Sequence, residues 1–141
     1  MRNDRNLRNE QIGKVTSIIA KMNSIRNYIN KQQIMHTSQK TIKKGFVIDG
    51  RDIGTVVFPN ATFKFFLLAD PKIRAERRHK QINDKSVKLE SIEEEIILRD
   101  NTDSTRKIAP LKKADDAFEI DVTLLTIEQV FEKILSKIKS Q

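Results

Sequence analysis

The chain has no cysteine and no tryptophan, and its only histidines are His36 and His79. Without thiols it can form neither a disulfide nor a thiolate metal site. Two histidines are too few for a histidine-based zinc centre. Aromatic residues are scarce, one Tyr and seven Phe, and most of the Phe lie in apolar runs that read as strands, which argues against a platform for stacking nucleobases. No apolar run approaches the roughly 20 residues that cross a bilayer. The opening Met1-Arg2-Asn3-Asp4-Arg5-Asn6 lacks the apolar core of a signal peptide, so a cytoplasmic location is expected by default.

The 141 residues amount to one domain by length, which if compact buries roughly 68 to 70% of its unfolded surface. A composition of 38% hydrophobic and 33% charged residues is ordinary for a globular chain. The net charge of +8, from 27 Lys and Arg against 19 Asp and Glu, calls for anionic partners. Nucleic acid, nucleotides and an acidic protein all satisfy it. The arginines stand at helical spacings beside acids rather than in one unbroken tract, which places nucleic acid below the others.

The most informative stretch is Phe46-Val47-Ile48-Asp49-Gly50-Arg51-Asp52-Ile53-Gly54-Thr55-Val56-Val57-Phe58-Pro59. Its first three residues read as a short buried strand, after which the chain turns polar at once. Ligands of open α/β sheets gather at the carboxyl ends of strands, where Asp49, Arg51 and Asp52 then stand. Glycines at 50 and 54 let the backbone bend and approach a ligand closely. A carboxylate at a strand tip suits the water shell of a magnesium ion beside nucleotide phosphates, and Arg51 offers a planar fork for a phosphate or a carboxylate. A plain β-turn closed by an Asp/Arg ion pair reads the same residues without any ligand.

Along the rest of the chain, Asn9 to Ser38 is helical in pattern, with Val15, Ile18, Ile19, Met22, Ile25 and Ile29 forming an apolar core face. A second strand is predicted at Thr62 to Leu68, apolar enough at Phe65-Phe66-Leu67-Leu68 to be a parallel strand buried on both faces. Asp70 and Pro71 are the N-cap and first residue of a helix, on which Arg74, Arg77 and Arg78 share a face. His79 reads as a surface residue. Ser91-Ile92-Glu93-Glu94 reads as a capping box opening another helix, with Arg99, Asp103 and Arg106 on one face. On spacing alone, a solvated basic face with Glu76 as local partner accounts for the first set and intrahelical ion pairs for the second. Residues 107 to 117 read as a loop, Ala117 to Asp121 as a third strand, and Thr126-Ile127-Glu128-Gln129 as a capping box before a terminal helix.

The string from Asp49 to Pro59 resembles, nearly residue for residue, the corresponding segment of bacterial cytidylate kinases, which are P-loop-fold nucleoside monophosphate kinases. Arg99-Asp100-Asn101-Thr102-Asp103-Ser104-Thr105-Arg106-Lys107-Ile108-Ala109-Pro110-Leu111 is similar to the second signature of that family. The resemblance implies an α/β fold, a parallel sheet flanked by helices, with ATP-dependent transfer of phosphate to CMP or dCMP and Mg2+ accompanying the ATP. It implies CMP contacts at Ser17, Arg26, Arg51, Asp52, Asp103 and Arg106, and an ordering role toward magnesium at Asp49. It further implies a lid over about 74–106 whose arginines, Arg74, Arg77, Arg78 and Arg99, close on the phosphates, and a loop at Ala109, Pro110 and Leu111 near the ATP base. Ser17 and Arg26 lie nine positions apart, on opposite sides of an unbroken helix at about 100° per residue. For both to reach one ligand the helix must break between them, and Asn23-Ser24 is a cap-favouring pair in the right place.

The resemblance runs from about Leu7 to Ile138 but covers only the later part of such a kinase. No Gly-x-x-x-x-Gly-Lys-Ser/Thr begins at Gly13, Gly45, Gly50 or Gly54. That loop cradles the ATP phosphates, and its hydroxyl holds the magnesium. The first strands of the fold are absent with it. The expectation is therefore a truncated product, half of a split gene or an internally initiated fragment, with strand edges left open and no phosphotransfer by itself. A partner could supply the P-loop. A catalytically dead nucleotide-binding or interaction protein is the alternative, and a basic nucleic-acid module a third.

Overall fold

A computed structural model describes residues 10–38, 45–82, 84 and 86–140. These fall into two units. One comprises the described residues up to Asp49 together with Arg106–Ile108, the other those of Gly50–Thr105 and from Ala109 onward.

The first unit holds α1 (Glu10–Ile19) and α2 (Asn23–Thr37). The helical stretch breaks between Ser17 and Arg26, after Ile19, where Lys21 and Met22 donate to carbonyls three residues back and tighten the last turn. The N-cap of α2 is Met22 in an extended conformation, without a side-chain cap, and Asn23 is already helical. The carbonyl end of α1 is closed instead by Arg26, which donates from Nε (3.1 Å) and Nη2 (2.9 Å) to the Ala20 oxygen. The predicted core face is not buried: Val15 is 54% and Ile18 65% exposed, and α2 contains no buried residue.

Phe46, Val47 and Ile48 do not form the predicted strand. They are irregular, and Phe46 and Val47 are exposed. A strand exists only with a ladder partner, and the two strands among the described residues pair with each other.

In the second unit a five-residue π turn (Ile53–Val57) precedes β1 (Phe65–Leu68), α3 (Pro71–Ile82), α4 (Leu89–Thr105), β2 (Phe118–Asp121) and α5 (Ile127–Lys139). The predicted α/β class and parallel pairing are present: β1 and β2 run parallel with Phe65 opposite Phe118 and Leu68 opposite Asp121. Both strands are shorter than their apolar runs, starting at Phe65 rather than Thr62 and at Phe118 rather than Ala117. Double-sided burial of β1 is not realised, since Leu67 and Leu68 are 49% and 40% exposed. Two strands cover too little of each other to bury both faces. The rings of Phe63, Phe65 and Phe118 stack at centroid distances of 6.5 and 5.7 Å, and Lys137 of α5 lies 5.4 Å from the Phe118 ring centre.

Local signals set the helix starts. Asp70 Oδ1 accepts the N–H groups of Lys72 (2.8 Å) and Ile73 (3.3 Å), with Pro71 as first helical residue. The capping box at Thr126 and Gln129 is complete in both directions. At Ser91 no box forms, because α4 already begins at Leu89 and the Ser91 hydroxyl donates back to the Lys88 carbonyl. Leu89 and Ile92 share a face three residues apart, and Ile92 is 4% exposed, so packing draws the first turn forward. His79 is half-buried rather than a surface residue, its Nε2 donating to the Val87 carbonyl at 2.9 Å. Buried Ala75 of α3 has no side chain beyond Cβ, which allows close approach of α4.

Candidate functional site

The polar stretch after Gly50 folds around one backbone acceptor. The Asp52 carbonyl takes N–H bonds from Thr55 (3.3 Å), Val56 (2.9 Å) and Val57 (3.4 Å), and Phe58 closes the wide turn onto the Ile53 carbonyl at 2.8 Å. Such π-helical turns recur at functional sites because they re-aim the residues around them. Here the turn buries Asp52 and Val57 and leaves Arg51 about one-third exposed. At Gly50 a Cβ would come within 2.6 Å of the Ile53 side chain, so a bare backbone suits the entry to the turn.

Lys64 supports this turn from below. Its side chain is 7% exposed, and Nζ donates to both Asp116 oxygens (2.8 and 2.7 Å) and to the Pro59 carbonyl. The stem passes under Gly54, and the Lys64 carbonyl accepts the Phe118 N–H at 2.8 Å. Lys64 thus joins the turn, the start of β1 and the start of β2. Its hydrogen bond holds the Asp116 carboxyl below the usual carboxylate range.

Above the turn the last part of α4 presents Arg99, Asp100 and Asp103. Arg51 Nε meets Asp103 Oδ2 at 2.8 Å, and Asp103 is 7% exposed at its side chain. Arg99 Nε approaches the same oxygen at 3.9 Å. Arg74 Nη2 of α3 donates to Asp100 Oδ2 at 2.5 Å, while Asp100 Oδ1 faces Arg51 Nη1 at 3.8 Å. Charges therefore alternate through Arg74, Asp100, Arg51, Asp103 and Arg99. The short pairs are charge-assisted hydrogen bonds; the two longer ones are Coulombic contacts. Arg74 Nε is buried with no hydrogen-bond partner. The loop Ala109-Pro110-Leu111 is tied to the same place by the Leu111 N–H, 2.7 Å from the Asp103 carbonyl, and Ala109 takes a left-handed φ of 48° to enter it.

Of the residues expected in a site, Arg51, Asp103, Arg74 and Arg99 meet in this one network. Asp52 lies buried at the turn. Arg77 instead points along α3 to the chain after β2, where Nη2 donates to the carbonyls of Val122 (2.9 Å), Thr123 (3.0 Å) and Leu125 (3.2 Å). Arg78 is half-buried on α3. Arg106 lies past the end of α4, so it does not share the helix face predicted for it with Arg99 and Asp103. Together with exposed Asp49 and with Arg26 it belongs to the other unit. The Ser17 side chain lies outside the described residues.

Two participants escaped the sequence reading. Asp100 meets Arg51 and Arg74, residues 49 and 26 positions away, and no periodicity signals such a pairing. Lys64 did carry a signal, a lone cation inside the run Phe63-Lys64-Phe65-Phe66.

An open crevice of about 620 Å³ lies at the carboxyl ends of β1 and β2, lined by Leu68, Asp70, Asp121, Thr123 and Leu125 among others. Both of its carboxylates are engaged, Asp70 in capping α3 and Asp121 in accepting the Thr123 N–H at 2.8 Å. Hydrogen bonds from Thr123 hold the Asp121 carboxyl below its ordinary range. Among the described residues no group of three or more His, Asp or Glu is placed to hold a metal ion. A lone exposed carboxylate such as Asp49 fits a magnesium ion that keeps its waters and phosphate ligands, not one held in a protein cage. No helix among the described residues is long and apolar enough to cross a membrane.

The family model described as Cytidylate kinase matches residues 1–140. The cytidylate kinase of Thermosipho melanesiensis is 45% identical over 137 residues, covering 96% of this chain and 61% of that protein. That of Bacillus licheniformis is 50% identical over 131 residues, 92% of this chain and 56% of that protein. That of Clostridium tetani is 60% identical over 96 residues, 67% of this chain and 42% of that protein. The chain spans about half the length of the curated relatives it matches. With both signature strings meeting at the Arg51–Asp103 pair and the family model matching nearly every residue, the chain belongs to the cytidylate kinase family.

Proposed function

We propose that these residues supply the nucleoside-monophosphate side and the lid of an ATP-dependent kinase that phosphorylates CMP or dCMP, on a P-loop nucleoside monophosphate kinase fold. The observation that carries the reading is the 2.8 Å pair between Arg51 and Asp103, which joins the two strings most specific to the family. Arg51, Asp52 and Asp103, with Ser17, Arg26 and Arg106, hold the monophosphate substrate. Arg74, Arg78 and Arg99 close on the phosphates as part of a lid over about 74–106. Arg77 joins them only by releasing the three carbonyls it holds, and Arg26 by releasing the Ala20 carbonyl. Asp49 orders the water shell of the magnesium that enters with ATP, and Ala109, Pro110 and Leu111 lie toward the ATP base. Magnesium, when bound, neutralises charge on the ATP phosphates.

The reaction is in-line attack of a CMP phosphate oxygen on the γ-phosphorus of ATP, with ADP leaving and no covalent enzyme intermediate. The residues act by positioning and by charge. Guanidiniums already oriented by carboxylates lose little further freedom when a phosphate docks on the edges the carboxylates leave open. No Gly-x-x-x-x-Gly-Lys-Ser/Thr string occurs in these 141 residues, so in this reading the phosphate cradle for ATP comes from sequence outside them, on a longer chain or a separate one.

The test is a coupled ADP-release assay with CMP, ATP and magnesium, on the chain alone and mixed with a separately produced P-loop fragment of a relative. Turnover in the mixture alone is expected. Turnover by the chain alone would show that the P-loop is dispensable. Silence in both from a folded chain would remove the kinase reading in favour of a nucleotide-binding or interaction protein. Steeply salt-dependent binding to RNA or DNA that CMP does not compete would favour a nucleic-acid module.

A further inference from the structure

We infer that Asp100 is a positioning residue that sets the guanidiniums of Arg51 and Arg74 as one two-armed fork for a phosphate group. The identity of that phosphate as part of CMP or ATP rests on the reading above, and the experiment below separates the two.

Asp100 stands between two cations that no local rule brings together, one from the turn after Gly50 and one from the second turn of α3. Its Oδ2 accepts Arg74 Nη2 at 2.5 Å and its Oδ1 faces Arg51 Nη1 at 3.8 Å. Without a carboxylate between them, two like charges at this range repel and swing toward water. Asp103 cannot replace it. That carboxylate engages Arg51 at the Nε edge, 2.8 Å away, and has no ion pair to Arg74 among the described residues.

The edges left over define the fork. With Nε on Asp103 and Nη1 toward Asp100, Arg51 is fixed in rotation about its stem. Arg74 is held through Nη2 alone, and its Nε is buried without a hydrogen-bond partner. An unpaired buried donor carries a desolvation penalty, and the Asp100 contact at Nη2 holds the guanidinium in place against it. A guanidinium edge matches two oxygens of a phosphate, a fit a carboxylate only imitates. Side-chain exposures of 36% for Arg51, 31% for Arg74 and 27% for Asp100 leave the cluster within reach of solvent and of a solute anion. Three guanidiniums against two carboxylates leave the network net positive, as an anion site requires. Asp100 and Asp103 lie on one face of α4, three residues apart, so helix geometry sets the spacing at which the arginines are offered.

The experiment uses the whole chain, Asp100→Ala and Asp100→Asn, with inorganic phosphate, CMP and cytidine as probes. Binding is followed on the arginine Nε–H signals by NMR, and folding by circular dichroism. In the parent chain Arg51 and Arg74 should give separate, slowly exchanging signals, and phosphate should shift Arg74. In Asp100→Ala the Arg74 signal should collapse to the solvent-averaged position while Arg51, still on Asp103, persists. Affinity for phosphate and CMP should fall by ~10-fold or more with cytidine unaffected, and Asp100→Asn, equal in size but uncharged, should lie between. Phosphate binding without CMP binding in the parent chain would refute the kinase reading and leave the fork standing. The inference is overturned if the parent chain binds no phosphate at these arginines, if phosphate affinity in the variants is unchanged or raised, or if the Arg74 signal survives in Asp100→Ala. Loss of folding in both variants would also overturn it, by assigning Asp100 a structural role.

Discussion

Lys64 shows how much one buried side chain can organise. Burying an ammonium is costly unless its donors are met, and here two carboxylate oxygens and a backbone carbonyl meet them. Because the Lys64 hydrogen bond lowers the Asp116 pKa in the folded chain, the pair stabilises the fold fully above the ordinary aspartate value of 3.8. That stability is lost as the pH falls through the lowered value. Urea unfolding between about pH 6 and about pH 2 should therefore show the parent chain more stable than Asp116→Asn near neutrality, with the gap closing in acid. A gap that stays constant with pH would mean that the pair does not contribute through its charge.

Among the elements, α5 shows most clearly a boundary written locally. Thr126 accepts the Gln129 N–H at 3.3 Å and Gln129 Oε1 accepts the Thr126 N–H at 2.9 Å, so two donors are satisfied within four residues. Thr126→Ala should cost about 1 kcal/mol, read as a lower urea midpoint with unchanged slope; a cost near zero would show that packing alone holds the start of the helix. Asp70 and Pro71 were legible for the same reason. Ser91 was misread because the same four-residue pattern competes there with burial of Ile92, 4% exposed. Phe46 to Ile48 were misread because an apolar run specifies a strand only where a ladder partner exists.

For the whole molecule the telling quantity is how little is buried. Among the described residues the buried apolar side chains are Val57, Ala75, Ile92 and Ile120, while Leu124, Ile127 and Phe131 are 88%, 84% and 59% exposed. Among the described residues the two paired strands each keep an open edge, and apolar surface left in water favours association. The chain alone should bind the dye ANS and sediment with a concentration-dependent mass. A monomer that excludes ANS and unfolds in one cooperative transition would contradict this.

Features that depend on neighbours within a turn or two are legible in the chain alone: the caps at Asp70 and Thr126, the parallel character of apolar strands, and the family, through strings long enough to be specific. The sequence also marked Arg51, Asp103, Arg74 and Arg99 as residues of chemical interest. How those charges are shared is settled by contacts between distant segments. Arg51 with Asp103, Arg77 with the Val122 carbonyl and Lys64 with Asp116 lie 52, 45 and 52 positions apart, and a guanidinium's choice among acceptors turns on ångströms that spacing along a chain does not encode. Asp100 gained its place in this way, because an aspartate on a helix face is an ordinary solvated charge until folding sets two arginines beside it.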